Sequence, residues 1–394
     1  MANNMDYIPF ANPARAFKAR KAAYTAAFER VIDSGWYILG AAVADFEQHF
    51  SSWLSGSVQK GETIGVGNGT DAIEIILRAL MNMYPMPQGT RPAVFTVSHT
   101  AVATVAAVER AGCVPVLVDI NEASFTMSPA SLDAAIEMIV ARHADLVPLA
   151  VLPVHLYGHP ADMDAISAIA TRYGLPVVED CAQAHGATWR GRKVGTLGIA
   201  GAFSFYPTKN LGAVGDAGGV YTEDVVLAAE IRALRQYGWK ARYISAEPGI
   251  NSRMDPTQAA FLDINLRFLD ADNGARQALA AQYAALTDCP VIRLPSKPDQ
   301  GEHAYHLYVV RCARRDALAA FLKERDVGTA IHYPQPVHLQ PAYAGRILLA
   351  PGGLPMTETI MPEILSLPMF PQLTPEEVDR VMNGIRTWAQ KENA

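Results

Sequence analysis

Cysteine is scarce in the sequence, and so is charge. The four cysteines are scattered through 394 residues, no two of them at the spacing of a metal site, and nothing about them suggests a disulfide framework. Charged residues make up 18% of the chain, the net charge is −6, and there is no basic run. Binding to a metal, to nucleic acid or to a membrane surface is therefore not expected.

Long apolar runs are absent as well. No stretch approaches the ~20 residues that a membrane-spanning helix needs, and the amino-terminal end lacks the apolar core of a signal peptide. We therefore expect a cytoplasmic protein. Half of the residues are nevertheless apolar, and 394 residues are enough for two domains with sizeable cores.

A lysine among glycines is the most informative feature that the sequence does contain. The segment 201–206 is predicted to be a short strand that Pro207 ends, and Lys209 follows on a polar turn. The glycines behind it, at 212, 215, 218 and 219, indicate tight turns or a closely approaching backbone. A lysine in this position is suited to forming a Schiff base with a carbonyl cofactor. The alternative is an ordinary solvated lysine.

A second informative segment is the apolar strand that ends in Glu179 and Asp180. In open α/β sheets, ligands bind at the carboxyl ends of the strands, where Asp180 is expected to lie. An aspartate there can pair with the ring nitrogen of pyridoxal phosphate (PLP). The alternative for Asp180 is a cap on the following helix.

A third segment, Gly67-Asn-Gly-Thr-Asp71, lies between a predicted strand and a predicted helix. Strand, glycine turn and helix start together present free backbone N–H groups to an anion, and Thr70 adds a hydroxyl. Asp71 is interpreted either as part of this site or as a helix cap. Such a turn is weak evidence by itself and becomes good evidence together with Lys209.

These segments together resemble the DegT/DnrJ/EryC1/StrS family, which consists of PLP-dependent aminotransferases acting on nucleotide-linked keto sugars. The resemblance rests on Glu179-Asp-Cys-Ala-Gln-Ala-His185 and Ser204-Phe-Tyr-Pro-Thr-Lys-Asn-Leu-Gly212, and it extends from Gly35 to Pro371. It implies an α/β protein of the aspartate-aminotransferase fold, fold type I among PLP enzymes. It also implies a homodimer with active sites at the subunit interface.

The predicted domains follow the alternation of strands and helices. Residues 15–250 are expected to form a large PLP-binding domain with a mostly parallel sheet. Residues 251–394 are expected to form a smaller C-terminal α+β domain.

The resemblance implies a set of cofactor-binding residues. Lys209 would hold PLP and Asp180 would pair with its ring nitrogen, while the other expected contacts are Gly69, Thr70, Asp71, Gln183, Ser204 and, from the neighbouring subunit, Asn251. Most family members have a ring-stacking aromatic residue where this chain has Ala101. His99 is the candidate that would cover the ring face instead, and a helix-start histidine is the equal alternative.

The resemblance also implies substrate-binding candidates, which are Tyr37, His185, Arg253, His332 and Tyr333. For Tyr37, packing in the core is the simpler interpretation. His332 and Tyr333 lie in a proline-rich loop that can also be purely structural.

The implied function is transfer of the amino group of L-glutamate to a nucleotide-linked keto-6-deoxy sugar, with pyridoxamine phosphate (PMP) as the intermediate form of the cofactor. The triplet Asn251-Ser252-Arg253 resembles members that aminate carbon 3, so C-3 is favoured over C-4. Such enzymes make deoxyamino sugars for lipopolysaccharide O-antigens or glycosides. The alternatives are another PLP reaction on a sugar, or a PLP-binding sensor that does not turn over.

Overall fold

The computed structural model describes residues 7–56 and 60–392. The helices are α1 (Pro13–Ala19), α2 (Lys21–Ser34), α3 (Ala41–Ser55), α4 (Gly69–Met83), α5 (Val102–Arg110), α6 (Pro129–Arg142), α7 (Met163–Arg172), α8 (Val225–Leu234), α9 (Pro256–Leu266), α10 (Leu269–Tyr283), α11 (Arg315–Lys323), α12 (Pro355–Ile360) and α13 (Pro375–Glu392). The strands are β1 (Glu62–Val66), β2 (Arg91–Val97), β3 (Val114–Val118), β4 (Leu146–Val151), β5 (Val178–Asp180), β6 (Thr188–Trp189), β7 (Arg192–Lys193), β8 (Ala200–Ser204), β9 (Gly218–Thr222), β10 (Trp239–Ala241), β11 (Ile244–Ser245), β12 (Gly301–Glu302), β13 (Tyr308–Arg311), β14 (Leu348–Leu349) and β15 (Ile364–Leu367).

A wide central sheet organises the first two thirds of the chain. One row of strands has the order β1-β9-β8-β5 and another has the order β14-β3-β2-β4. Parallel bridges between Val151 and Val177 and between Val154 and Asp180 join the two rows. In these rows the strands pair in parallel, except for β9, which is antiparallel to both of its neighbours. The predicted mostly parallel α/β sheet is therefore confirmed.

Helix α4 is buried in the core, and it begins at the edge of the sheet where β1 ends. Its residues from Asp71 to Leu77 are all buried, because α5 and α8 pack against it on one side and β8 and β9 on the other. Ile75, Ile76 and Leu80 belong to a cluster that also contains Val220 of β9. A helix that is enclosed in this way has a fixed amino terminus, which lies at the carboxyl end of β1.

The C-terminal part of the chain has its own apolar cluster. Strands β13 and β15 pair antiparallel, and residues of α10, α11 and α13 pack with them. The segment 256–283 forms two helices, α9 and α10, and Ala330 makes a single antiparallel bridge to Ser366. Strand β14 pairs with β3 and so joins the large sheet. The domain boundary at residues 250 and 251 stays a prediction.

The part of the chain that the structure describes contains no helix that is both long enough and apolar enough to cross a membrane.

Two glycines with opposite surroundings provide a test of the packing at the sheet edge. A Cβ on Gly218 of β9 would overlap the carbonyl group of Asn68, directly before α4. We predict that Gly218→Ala lowers the free energy of unfolding by about 1–3 kcal/mol, the usual cost of overpacking. Gly274 in α10 is exposed and a Cβ there meets nothing within 4 Å, so Gly274→Ala is the matched control. It is expected to stabilise by about 0.5–1 kcal/mol.

Both variants are measured by denaturant unfolding of the purified protein. Equal stability of Gly218→Ala and the wild type would contradict the close approach between β9 and the turn before α4.

Candidate active site

Three parallel strands bring the predicted site residues to one edge of the sheet. Strands β1, β5 and β8 all run in the same direction, and they end at Val66, Asp180 and Ser204. Helix α4 begins shortly after β1, and Lys209 lies in the turn that follows β8. The carboxyl ends of parallel strands therefore bring together groups that are far apart in the sequence.

A cavity of about 340 Å³ lies at this edge. It is lined by Asn68, Gly69, Thr70, Ile73, Thr100, Ala101, Ala103, Thr104, Val154, Leu156, Asp180, Ala182, Gln183, Ser204, Tyr206, Thr208, Lys209, Asp216, His306, His332 and Tyr333. Its volume is in the range of ~300–1,000 Å³ that is typical of small-molecule sites, and its lining combines apolar walls with a few polar groups.

Lys209 is the reactive amine of the cavity. Its Nζ has no hydrogen-bond partner within residues 7–56 and 60–392. Burial lowers the pKa of Lys209 to about 8, although the charge of Asp180 acts in the opposite direction. The unprotonated amine, which is the form that attacks a carbonyl carbon, is therefore a larger fraction near neutral pH than for an ordinary lysine and becomes the major form above about pH 8.

Asp180 is the buried acid of the cavity, and each of its two carboxylate oxygens accepts a hydrogen bond. Oδ2 accepts a hydrogen bond from Thr104 Oγ1 at 2.9 Å, and Oδ1 accepts one from the backbone N–H of Ala182 at 3.1 Å. Burial raises the pKa of Asp180, and these two hydrogen bonds and the charge of Lys209 oppose the rise. A cationic partner placed in the cavity would stabilise the ionised carboxylate.

The amino terminus of α4 provides anion-binding groups. Asn68 caps the helix by accepting the backbone N–H of Asp71, and the N–H groups of Gly69 and Thr70 are left without an acceptor in the described chain. A Cβ on Gly69 would lie only 2.7 Å from Cβ of Ser204, so glycine allows Ser204 to lie against the helix start. The free N–H groups, the helix dipole and the hydroxyls of Thr70 and Ser204 together form a site suited to a phosphate group.

Gln183 and Tyr333 form a hydrogen-bonded pair on the cavity wall. Gln183 Nε2 donates to Tyr333 Oη at 2.9 Å, and Gln183 Oε1 accepts the backbone N–H of Tyr157 at 2.8 Å. Burial raises the pKa of Tyr333 to about 12, so its phenol stays protonated and can donate a hydrogen bond into the cavity. The amide of Gln183 is thereby oriented with its nitrogen toward the cavity side.

Two imidazoles complete the polar lining, and sequence reasoning identified only one of them. His332 Nδ1 is 2.9 Å from Ser366 Oγ, and burial lowers the pKa of His332 to about 4. The other imidazole, His306, was not among the candidates, because its local sequence resembles that of any buried strand. Thr104, which positions Asp180, was also missed, since a threonine in a helix carries no signal of its own.

These residues fit pyridoxal phosphate. An amine without a partner, a buried carboxylate and a helix amino terminus beside Ser204 surround a single cavity. Lys209 would hold the cofactor covalently, Asp180 would pair with the ring nitrogen, and Gly69, Thr70 and Ser204 would hold the phosphate. The amide nitrogen of Gln183 is available for the ring oxygen. The roles themselves stay predictions.

The predicted role of His99 is corrected by the structure. Its imidazole does not line the cavity but stacks on Phe125, with ring centroids 5.8 Å apart, and its Nε2 is 2.7 Å from Tyr157 Oη. Burial lowers the pKa of His99 to about 3. The backbone turns after His99, so that Thr100 and Ala101 face the cavity in its place.

His185 and Asp71 also lie outside the cavity. The imidazole of His185 is fully buried against Phe203 and Phe205, and its contact with a substrate stays a prediction. Asp71 accepts hydrogen bonds from Ser252 at 2.7 Å and from Arg110 at 3.0 Å. Both of its oxygens are therefore occupied by neighbouring elements, and its role is to tie them to α4.

Three other predicted residues do not line the cavity of their own chain. Tyr37 is 55% exposed and donates a hydrogen bond to the backbone oxygen of Ile32. Asn251 is exposed, and the guanidinium of Arg253 lies 5.9 Å from the ring centre of Tyr237. A surface position is compatible with action in a neighbouring subunit, which stays a prediction for Asn251. The substrate-binding roles of Tyr37 and Arg253 stay predictions as well.

One group in the described ranges has metal-ligating atoms close together, namely His155, Glu179 and Cys181. Glu179 already accepts hydrogen bonds from His155 Nε2 and from the backbone N–H groups of residues 195, 197 and 198. Burial and nearby carboxylates raise the pKa of the Cys181 thiol well above its usual range. The group is therefore interpreted as structural.

Comparisons with known proteins point to one family. The DegT/DnrJ/EryC1/StrS aminotransferase family matches residues 18–386. The erythromycin biosynthesis sensory transduction protein EryC1 of Saccharopolyspora erythraea is 44% identical, over 97% of this chain and 100% of the relative. The dTDP-3-amino-3,4,6-trideoxy-alpha-D-glucose transaminase of Streptomyces venezuelae is 42% identical, over 98% of this chain and 97% of the relative. The crystal structure of S. venezuelae DesV superposes with a TM-score of 0.89 at 42% identity, covering 98% of this chain and 99% of that one.

The environment of Lys209 predicts the pH dependence of cofactor uptake. We expect the cofactor-free protein to take up PLP faster as the pH rises through about 8, because only the unprotonated amine reacts. Since the charge of Asp180 raises the pKa of Lys209, Asp180→Asn should move the midpoint to lower pH. Visible absorbance after rapid mixing with PLP measures the rate at each pH.

Lys209→Ala is the control and should show no covalent uptake at any pH. A midpoint in Asp180→Asn that is equal to or higher than that of the wild type would contradict the pairing of these two groups.

Proposed function

The chain belongs to the DegT/DnrJ/EryC1/StrS aminotransferase family, and from this membership we propose that it transfers the amino group of L-glutamate to a nucleotide-linked keto-6-deoxy sugar. It is a PLP-dependent aminotransferase. The sugar, its nucleotide carrier and the glutamate donor are the proposed part.

One observation carries the proposal. An amine and a carboxylate, Lys209 and Asp180, lie in the same cavity as the free amino terminus of α4. This is the set of groups that amino transfer through PLP requires, namely a covalent anchor, a partner for the ring nitrogen and a phosphate site. Protein groups farther from the cofactor would then select the substrate.

The residues of the cavity have distinct tasks in this proposal. When bound, PLP supplies a ring that accepts the electron pair left on the substrate carbon when its proton is removed. Asp180 keeps the ring nitrogen protonated by its charge. Lys209, once released from the cofactor, takes the proton from one carbon and delivers it to another at its Nζ. His332 and the phenol of Tyr333 would contact the sugar.

A nucleotide-linked sugar is supported by an exposed basic and aromatic hairpin as well as by the relatives. The hairpin of β10 and β11 carries Lys240, Arg242 and Tyr243 on exposed positions, with the Arg242 guanidinium 5.0 Å from the centre of the Tyr243 ring. Cations and aromatic rings are groups that contact phosphates and bases. The name of the S. venezuelae relative denotes a 3-amino sugar, which favours C-3 over C-4.

The active form is proposed to be a homodimer. Trp36, Tyr37 and Ile38 are exposed next to one another, and such a group of large apolar side chains is typical of a protein–protein interface. Asn251 would reach the cofactor phosphate of the partner subunit, and Tyr37 and Arg253 would contribute to substrate binding. A cytoplasmic location stays a prediction.

A second candidate function is a PLP-binding sensor without turnover. It is favoured by the name of EryC1, which is called a sensory transduction protein. Both functions require the same cofactor site, so the fold does not distinguish them.

An amino-transfer assay tests the proposed function. We expect formation of an amino sugar when the protein is incubated with PLP, L-glutamate and dTDP- or UDP-linked 3-keto-6-deoxy sugars. Lys209→Ala should be inactive. Asp180→Asn should bind PLP but be slower by about 100-fold or more, because a neutral amide cannot hold the ring proton by charge. Product is identified by mass spectrometry.

A panel of 4-keto sugars is the matched control for the position that is aminated. PLP binding with no amino transfer to any member of either panel would favour the sensor. Near wild-type turnover of Asp180→Asn would show that Asp180 is not the partner of the ring nitrogen.

Subunit mixing tests the proposed role of Asn251. Lys209→Ala and Asn251→Ala chains are each expected to be inactive as homodimers. A heterodimer of the two would contain one site with both changes and one site with neither, so about half of the activity per heterodimer should return. Heterodimers are isolated with two different affinity tags and assayed for amino transfer. Verified heterodimers without activity would place Asn251 in the site of its own chain.

A further inference from the structure

Two buried threonines and Asp180 form a chain of hydrogen bonds on the cavity wall. Thr104 Oγ1 is 2.9 Å from Asp180 Oδ2, and Thr100 Oγ1 is 2.8 Å from Thr104 Oγ1. The three residues are at most 4% exposed, and all of them line the cavity. Thr100 is therefore separated from the carboxylate by a single hydroxyl group.

The start of α5 holds the two hydroxyls beside each other. Ala101 caps this helix, and its backbone oxygen accepts the N–H of Thr104 at 3.2 Å. Thr100 comes directly before the cap and Thr104 lies in the first turn, so the two side chains, four residues apart, lie on the same side of the helix start.

The chain has one direction when Asp180 is ionised. A carboxylate only accepts hydrogen bonds, so the single hydroxyl hydrogen of Thr104 points to Asp180. Thr104 then has only lone pairs left for its other neighbour, and Thr100 must be the donor between the two hydroxyls. Thr100 thus donates to Thr104, which donates to Asp180.

This direction stabilises the ionised carboxylate. A hydroxyl that accepts a hydrogen bond is polarised and becomes a stronger donor, so the bond from Thr100 strengthens the bond from Thr104 to Asp180. Hydrogen bonds to the charged form of an acid lower its pKa. They oppose burial, which raises the pKa of Asp180.

Titratable groups also surround Asp180. Lys209 and His155 act on it by their charge, and its own charge acts on Cys181 and Tyr333. Those contributions change as each group titrates, whereas a threonine hydroxyl does not titrate. The chain of hydroxyls therefore acts at every pH at which Asp180 is ionised.

We propose that Thr100 is a positioning residue for Asp180 that acts through Thr104, and that this chain keeps the carboxylate ionised and oriented for a protonated ring nitrogen. The chain is a property of the protein without cofactor and can be measured there. The use of Asp180 as the partner of the ring nitrogen rests on the proposed function.

Carbon-13 NMR of the cofactor-free protein, labelled at the side-chain carboxyl of aspartate, tests the proposal. The Asp180 signal is assigned by its loss in Asp180→Asn. We expect Thr104→Val, which removes the direct donor, to raise the pKa of Asp180 by about 1 pH unit. Thr100→Val should raise it by a smaller amount, about 0.3 pH unit, because only the polarisation of Thr104 is lost.

Three further variants are controls for this titration. Thr100→Ser and Thr104→Ser keep the hydroxyls and should stay close to the wild type. Thr96→Val should leave the pKa of Asp180 unchanged, because Thr96 is a buried threonine of β2 whose hydroxyl donates to the backbone oxygen of Leu152 at 2.8 Å. An unchanged pKa in Thr100→Val, or an equal rise in Thr100→Ser or Thr96→Val, would overturn the proposal.

Neutron diffraction from deuterium-exchanged crystals of the cofactor-free wild type, at mildly alkaline pH, is a second measurement that needs no variant to fold. We expect the hydroxyl deuterium of Thr104 to point to Asp180 Oδ2 and that of Thr100 to point to Thr104. A Thr100 deuterium that points elsewhere would contradict the proposal. Failure of the wild type to take up PLP would instead overturn the proposed function, and the result for the hydroxyl chain would stand.

Discussion

The active-site edge depends on a buried carboxylate that does not belong to the cavity. Glu179 has no exposed surface, and its two oxygens accept the backbone N–H groups of Gly195, Leu197 and Gly198 at 2.7 Å and His155 Nε2 at 3.0 Å. His155 Nδ1 accepts the N–H of Ala161, so its Nε2 is the protonated nitrogen. A buried charge is tolerable only with such complete hydrogen bonding. The result is a rigid end for β5, from which the next residue, Asp180, projects into the cavity.

Around Lys209, burial decides the protonation states. Desolvation lowers the pKa of the amine and of the surrounding imidazoles and raises that of Asp180, so each group is shifted toward its neutral form. The hydrogen bonds from Thr104 and Ala182 act against this shift at Asp180 alone. The cavity therefore contains a buried carboxylate, Asp180, that is favoured to ionise when a cation arrives, and an amine that is ready to react.

A network of polar contacts connects the turn before α4 with the loop that carries Asn251. Ser252 Oγ donates to Asp71 at 2.7 Å and accepts the backbone N–H of Gly67 at 2.9 Å. The backbone N–H of Ser252 donates to the carbonyl of Arg235, whose guanidinium is paired with Glu47 at 2.7 Å. Asn251, which precedes Ser252 and is predicted to serve the neighbouring subunit, is thus attached to the turn before α4, at this chain's own cavity.

Features that the sequence determined by itself are those with a local cause. The parallel sheet follows from the alternation of strands and helices, and Lys209 and Asp180 could be identified because strand ends, a proline and glycine turns mark them. His306 and Thr104 could not be identified, since nothing in their local sequence distinguishes them from core residues. The prediction for His99 was wrong because the turn after β2 directs its ring toward Phe125. Only the tertiary structure decided these contacts, because the direction of a side chain depends on distant segments that pack against it.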